Sequence, residues 1–149
     1  MASKYVIDSN IFIKILIEEK DSPLAKDFLT HCLEEESILL VPSLFPYEIF
    51  HVAWKKGYCM RAISEHLKKN RQLKIMELSP GLIHKSVELI EQATHPKSGI
   101  PSFYDASYHA LAILNNCDFI TADKRHYKKT RDLGNIRLLS EVELKPIIS

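Results

Sequence analysis

An α/β domain with a parallel sheet covered by helices on both faces is the fold class predicted by three features of this 149-residue sequence. Short apolar runs alternate with longer helical stretches, the pattern left by strand–helix–strand crossovers. Most of the short runs are apolar at successive positions, as strands buried on both faces require. The length suits a single domain, 1–149, that can bury a real core.

The elements follow in order. Strands are predicted at 4–8 (KYVID), 37–43 (SILLVPS), 73–79 (LKIMELS), 117–123 (CDFITAD) and 135–139 (NIRLL). A helix over 10–20 opens after Asp8, Ser9 and Asn10, residue types that favour helix N-termini. The helix over 22–36 places Leu24, Phe28, Leu29, Cys32 and Leu33 on one stripe. In the helix over 44–56, Pro46 suits the first turn. Ile49, Phe50, Val52, Ala53 and Trp54 make that helix apolar nearly all round, so it is expected to be largely buried. Helices over 59–70 and 80–95 continue the alternation. The helix over 102–116 begins with Ser102 and Asp105 in capping-box spacing.

Composition narrows the function classes. The chain is 46% hydrophobic and 26% charged, ordinary for a folded soluble domain. No run of about 18 apolar residues exists to span a bilayer, and MASKYVIDSN reaches Asp8 before a signal-peptide core could form. Cytoplasmic residence without membrane association is the expectation. Cys32, Cys59 and Cys117 have no C-x-x-C spacing, so free and mostly buried thiols are expected. The histidines show no H-E-x-x-H pattern. Four glycines, at 57, 81, 99 and 134, leave no P-loop, no G-x-S-x-G elbow and no G-x-G-x-x-G after the first strand. A formal net charge of +1 excludes nothing, because a nucleic-acid binder needs only a local basic face.

Four carboxylates are placed where α/β sheets gather ligands, at the carboxyl ends of strands. Asp8 closes the first strand and Asp123 the fourth. Glu48 and Asp105 sit in the first turns of helices with apolar bodies. Each has a plain structural explanation as well: a cap for Asp8 and Asp105, a dipole partner for Glu48, a turn residue for Asp123. Together they describe a negative pocket that protonation or a divalent cation would relieve. Oxygen donors alone suit Mg²⁺ or Mn²⁺. Thr121 faces the same side of an extended chain as Asp123 and could orient a carboxylate or a water. Lys124, Arg125, Lys128 and Lys129, with Arg131 beyond them, read either as a grip for RNA phosphates or as a solvated helix face. His109, one turn past Asp105, reads as a supporting partner or a core histidine.

Four segments in this order resemble the PIN-domain nucleases, and among them the VapC-type toxin ribonucleases: VIDSN, PSLFPYEIFHVAW, SFYDASYHALA and FITADKRHY. The resemblance covers nearly the whole chain. It implies a three-layer α/β/α sandwich with a mainly parallel central sheet. It also implies that Asp8, Glu48, Asp105 and Asp123 form a catalytic pocket for one or two Mg²⁺ or Mn²⁺ ions, with Asp8 and Asp105 the most direct ligands and Asn10 and Thr121 supporting. The activity so implied is hydrolysis of RNA phosphodiester bonds, leaving a 5′-phosphate and a 3′-hydroxyl. A homodimer and a small antitoxin that covers the pocket are the implied partners. Asn115-Asn116 stands where relatives often carry glycine, and asparagine tolerates the left-handed conformation of such a helix end. The competing readings are a PIN-fold nuclease for DNA structures or RNA maturation, and a metal-free module that binds RNA or protein without cutting.

Overall fold

A computed structural model describes residues 3–93 and 99–144. Five strands, β1 (Lys4–Ile7), β2 (Ile38–Pro42), β3 (Leu73–Met76), β4 (Asp118–Thr121) and β5 (Ile136–Leu138), form one sheet in the order β3-β2-β1-β4-β5. Every pairing is parallel, with Val6 level with Leu40 on one side and Phe119 on the other. The chain builds outward from β1 to β3, then crosses back to lay β4 and β5 on the opposite flank. The order reverses at β1 and β4, the switch point at which such sheets bind ligands.

Among the described residues, seven α-helices make the connections: α1 (Ser9–Leu16), α2 (Ser22–Glu34), α3 (Phe45–Lys55), α4 (Met60–Lys69), α5 (Pro80–Gln92), α6 (Phe103–Leu114) and α7 (Lys124–Thr130). α6 lies across β1, β2 and β4 and packs on α5, while α1 packs on α2 and α3, and α3 on α4. The result is the three-layer α/β/α sandwich expected. Val6, Ile7, Val41, Phe119 and Ile120 are almost wholly buried at its centre. Each such side chain contributes about 1.5–3 kcal/mol of burial.

The structure differs from the expectations at the periphery. α1 stops at Leu16, four residues early. Ser22 Oγ accepts from the Glu19 N–H at 2.8 Å and donates to the Ile17 carbonyl at 3.2 Å, closing a turn that redirects the chain into α2. On α2 the buried stripe is Ala25, Phe28 and Cys32, whereas Leu24 and Leu33 are exposed. α3 is not largely buried: Phe45, Ile49 and Ala53 face inward at helical spacing, but Tyr47 and Trp54 stand 79% and 71% exposed. β3 is an edge strand with Lys74, Ile75 and Met76 exposed, so its apolar run does not mean two covered faces. Of the cysteines, Cys32 is buried, Cys117 half-buried and Cys59 exposed. Asn116 adopts φ 51°, the left-handed turn anticipated after α6. The last residues of the predicted helix 80–95 lie outside the described ones. Among the described residues, no helix is long and apolar enough to cross a membrane.

Candidate active site

Asp8 follows β1, and its N–H still donates to Ile120 O at 3.0 Å, extending the ladder with β4 by one bond. Thr121 ends β4 with its side chain fully buried. Its hydroxyl donates to Asp8 Oδ2 at 2.7 Å and accepts from the Asp123 N–H at 3.0 Å. One hydroxyl therefore joins the two acids that the neighbouring strands deliver. Asp8 makes no side-chain capping bond to α1, which removes its plain structural explanation. Ser9 Oγ donates to Asp8 Oδ1 at a long 3.4 Å. Asn10 ties α1 to the end of β4, its Oδ1 accepting from the Ala122 N–H at 3.4 Å.

The other acids arrive on helices. Glu48 is half-buried in the first turn of α3 and accepts at 2.5 Å from the hydroxyl of Tyr108, three residues after Asp105 on α6. Tyr108 is itself buried, its ring stacked on Phe119. Asp105 donates its N–H to Ser102 Oγ at 3.1 Å, as a capping box requires. Asp123 caps α7: Oδ1 accepts from the N–H groups of Arg125 and His126 at 2.9 and 3.3 Å. For Asp123 the structural role is thus present alongside any other, whereas at the start of α6 the capping side chain is that of Ser102.

Charge and burial link the acids in a chain of pairwise influences. Burial pushes the Asp8 carboxyl up to about 7; the Thr121 hydrogen bond opposes this, and the charges of Asp105 and Glu48 add to it. Burial also raises Glu48, against hydrogen bonds from Tyr108 and Ser9, with Asp105 raising it further. Asp105 is raised by burial and by Asp123, and held down by Ser102 and Lys129. Asp8, Glu48 and Asp105 are thus linked by charge, and Asp123 is linked to Asp105. Among the described residues, however, no three His, Cys, Asp or Glu side chains converge tightly enough to cage an ion. An all-oxygen set of this openness fits a cation that keeps most of its water, as Mg²⁺ does with one or two carboxylates.

The bases divide. Lys129 Nζ donates to Ile100 O at 3.5 Å, and its charge reaches Asp105. Lys124, Arg125 and Lys128 are exposed along α7. His109 belongs to the core: it is fully buried, bonded to Gly134 O at 2.7 Å and edge-on to His126. Tyr108 is the participant that sequence reasoning missed. Its signal was a tyrosine one turn past Asp105 on the same helix, since a buried tyrosine O–H usually finds a partner.

A family model described as the PIN domain matches residues 5–132. No curated protein sequence matches the chain. Several solved structures share the fold. A toxin–antitoxin complex from Klebsiella pneumoniae superposes with a TM-score of 0.69 at 19% identity, over 93% of this chain and 99% of that one. VapBC2 from Rickettsia felis, bound to a promoter DNA fragment, gives 0.64 at 20%, over 91% and 96%. VapC20 of Mycobacterium tuberculosis, a toxin that cleaves the sarcin–ricin loop, gives 0.58 at 11%, over 75% and 83%.

Proposed function

The chain belongs to the PIN domain family, and on that premise we propose that it is a metal-dependent endoribonuclease, the toxin of a toxin–antitoxin pair. One observation supports the reading: four separate elements bring carboxylates toward the edge where the sheet order reverses, and burial and repulsion between neighbouring acids raise the pKa of three of them. A cluster so unfavourable when charged needs a reason, and a divalent cation supplies one. RNA as substrate is supported by the likeness to a toxin that cuts the sarcin–ricin loop.

Asp8 and Asp105 would hold Mg²⁺ or Mn²⁺ directly, with Glu48 and Asp123 completing the negative field. When bound, such an ion neutralises developing charge on the phosphate and acidifies a water. The chain's own groups fix the geometry. Thr121 holds one oxygen of Asp8, and the other receives only a long bond from the Ser9 hydroxyl. Tyr108 aims Glu48. Asp123 spends Oδ1 on the first N–H groups of α7, so its contribution to the pocket is its charge and its second oxygen. Lys129 supplies a positive charge beside Asp105 that can meet a substrate phosphate.

An antitoxin partner is supported by the complexes the fold resembles and by an apolar groove of about 550 Å³. Phe12, Ile15, Leu29, Leu33 and Leu73 line it, and Lys26, Lys69 and Arg71 stand among its walls. None of the four acids lines it, so a bound segment there would have to extend onward to cover them.

Single-stranded RNA incubated with the protein should be cut in Mg²⁺ and left intact in EDTA. Asp8→Asn and Asp105→Asn should lose cleavage while remaining folded by circular dichroism. Cleavage that survives chelation would remove the metal from the mechanism, and a fully active variant would remove its residue.

A further inference from the structure

A second, smaller hollow is built by segments that flank two of the acids along the chain, and it takes no part in the reaction above. Its volume is about 130 Å³, and Leu44, Leu78, Leu82, Phe103 and Tyr104 form its apolar walls, with Ser43 and Ser107 among them. The same two turns that carry acids build it. Ser43 and Leu44 lead into the first turn of α3, which holds Glu48, and Phe103 and Tyr104 open α6 immediately before Asp105. Tyr104 is 66% exposed and Phe103 37% exposed, so neither ring is consumed by the core. Ser107 donates its proton to Tyr104 O at 2.6 Å, and its oxygen retains acceptor capacity.

We propose that this hollow seats one unpaired base of the RNA strand, stacked against Tyr104 and Phe103, while the adjoining phosphate lies over the acids; this rests on the ribonuclease reading. The space is far below the roughly 300–1,000 Å³ of pockets for drug-sized ligands, and it suits a single planar ring. Apolar walls with two exposed aromatic faces stack bases of any identity, and the serine hydroxyls offer an edge for discrimination. Two of the hollow's lining residues adjoin acids along the chain, Tyr104 beside Asp105 and Leu44 one turn before Glu48, which argues for a base of the substrate over an unrelated ligand. A base inside a duplex cannot reach such a seat, so the substrate class is a single strand or an unpaired loop.

The test is fluorescence anisotropy of a short labelled single-stranded oligoribonucleotide in EDTA, with a fully abasic strand of equal length as control. Tyr104→Ala should bind the normal strand about 5- to 150-fold more weakly, the range for loss of one base–aromatic stack. It should bind the abasic strand as the wild type does, and Tyr104→Phe should bind both normally. Equal binding of the normal strand by wild type and Tyr104→Ala overturns the base seat and leaves the ribonuclease reading standing. An equal loss on the abasic strand overturns it too, since the contact would then be to backbone. Unchanged RNA affinity with a fall from dimer to monomer by light scattering assigns this face to a second copy of the chain. A wild-type protein that binds neither strand and cuts no RNA in Mg²⁺ refutes the ribonuclease reading itself.

Discussion

At Asp8, burial and two neighbouring carboxylates favour the proton, and only the Thr121 hydroxyl and local N–H groups favour the charge. The balance lifts the carboxyl from 3.8 to about 7. Between those values the folded, metal-free protein holds a proton that the unfolded chain has released, so its stability falls as pH rises through the window and levels off above about 7. Asparagine has no such cost. In EDTA, Asp8→Asn should therefore melt close to the wild type near pH 4 and progressively above it toward pH 8, while losing cleavage on the proposed reading. Thermal denaturation of both proteins across that range checks this, and a gap that narrows as pH rises would contradict it. Thr121→Val acts differently. It removes a buried hydroxyl that serves Asp8 and the Asp123 N–H together, so a loss of about 1–3 kcal/mol in urea unfolding is expected.

At the scale of elements, α7 separates structural from chemical use of one side chain. Asp123 satisfies two N–H groups at the start of that helix. Asn is as good an N-cap as Asp, whereas Ala costs roughly 0.5–2 kcal/mol. Asp123→Asn should thus keep its stability and lose cleavage, while Asp123→Ala should lose both; urea melts beside RNA cleavage assays distinguish the two roles. How far such roles could be read from the sequence follows from their range. The five strands and the left-handed turn at Asn116 were legible, because hydrophobic runs and turn chemistry are local. Asp8, Glu48, Asp105 and Asp123 were legible as candidates because each ends a strand or opens a helix. Burial of α3 was overestimated, since an apolar composition at Tyr47 and Trp54 does not say which flank has a neighbour. The Tyr108–Glu48 bond spans 60 residues and depends on α6 crossing β2 toward α3. No local pattern encodes that distance.

Across the whole molecule, the acids and a pair of core histidines respond to pH in opposite senses. Burial lowers His109 and His126 to about 4. Between about 4 and 6.5 the unfolded chain carries protons on them that the folded protein does not, so they add stability as pH rises, against the trend set by Asp8. The metal-free melting temperature should consequently vary less over this interval than either set of groups alone would dictate. On the proposed reading a divalent cation would break the compensation, because it would act on the acids alone. At pH 5.5 protons compete for Asp8, and Mg²⁺ should raise the melting temperature only slightly; at pH 8 the same concentration should raise it clearly. Saturation at one hundred times the dissociation constant corresponds to about 2.7 kcal/mol. Asp8→Asn should flatten that difference between the two pH values, because the carboxylate for which proton and metal compete is gone. Differential scanning fluorimetry of the two proteins with Mg²⁺ and with EDTA measures it. A Mg²⁺ effect equal at both pH values in the wild type would show that the ion binds somewhere other than the edge where β1 and β4 end.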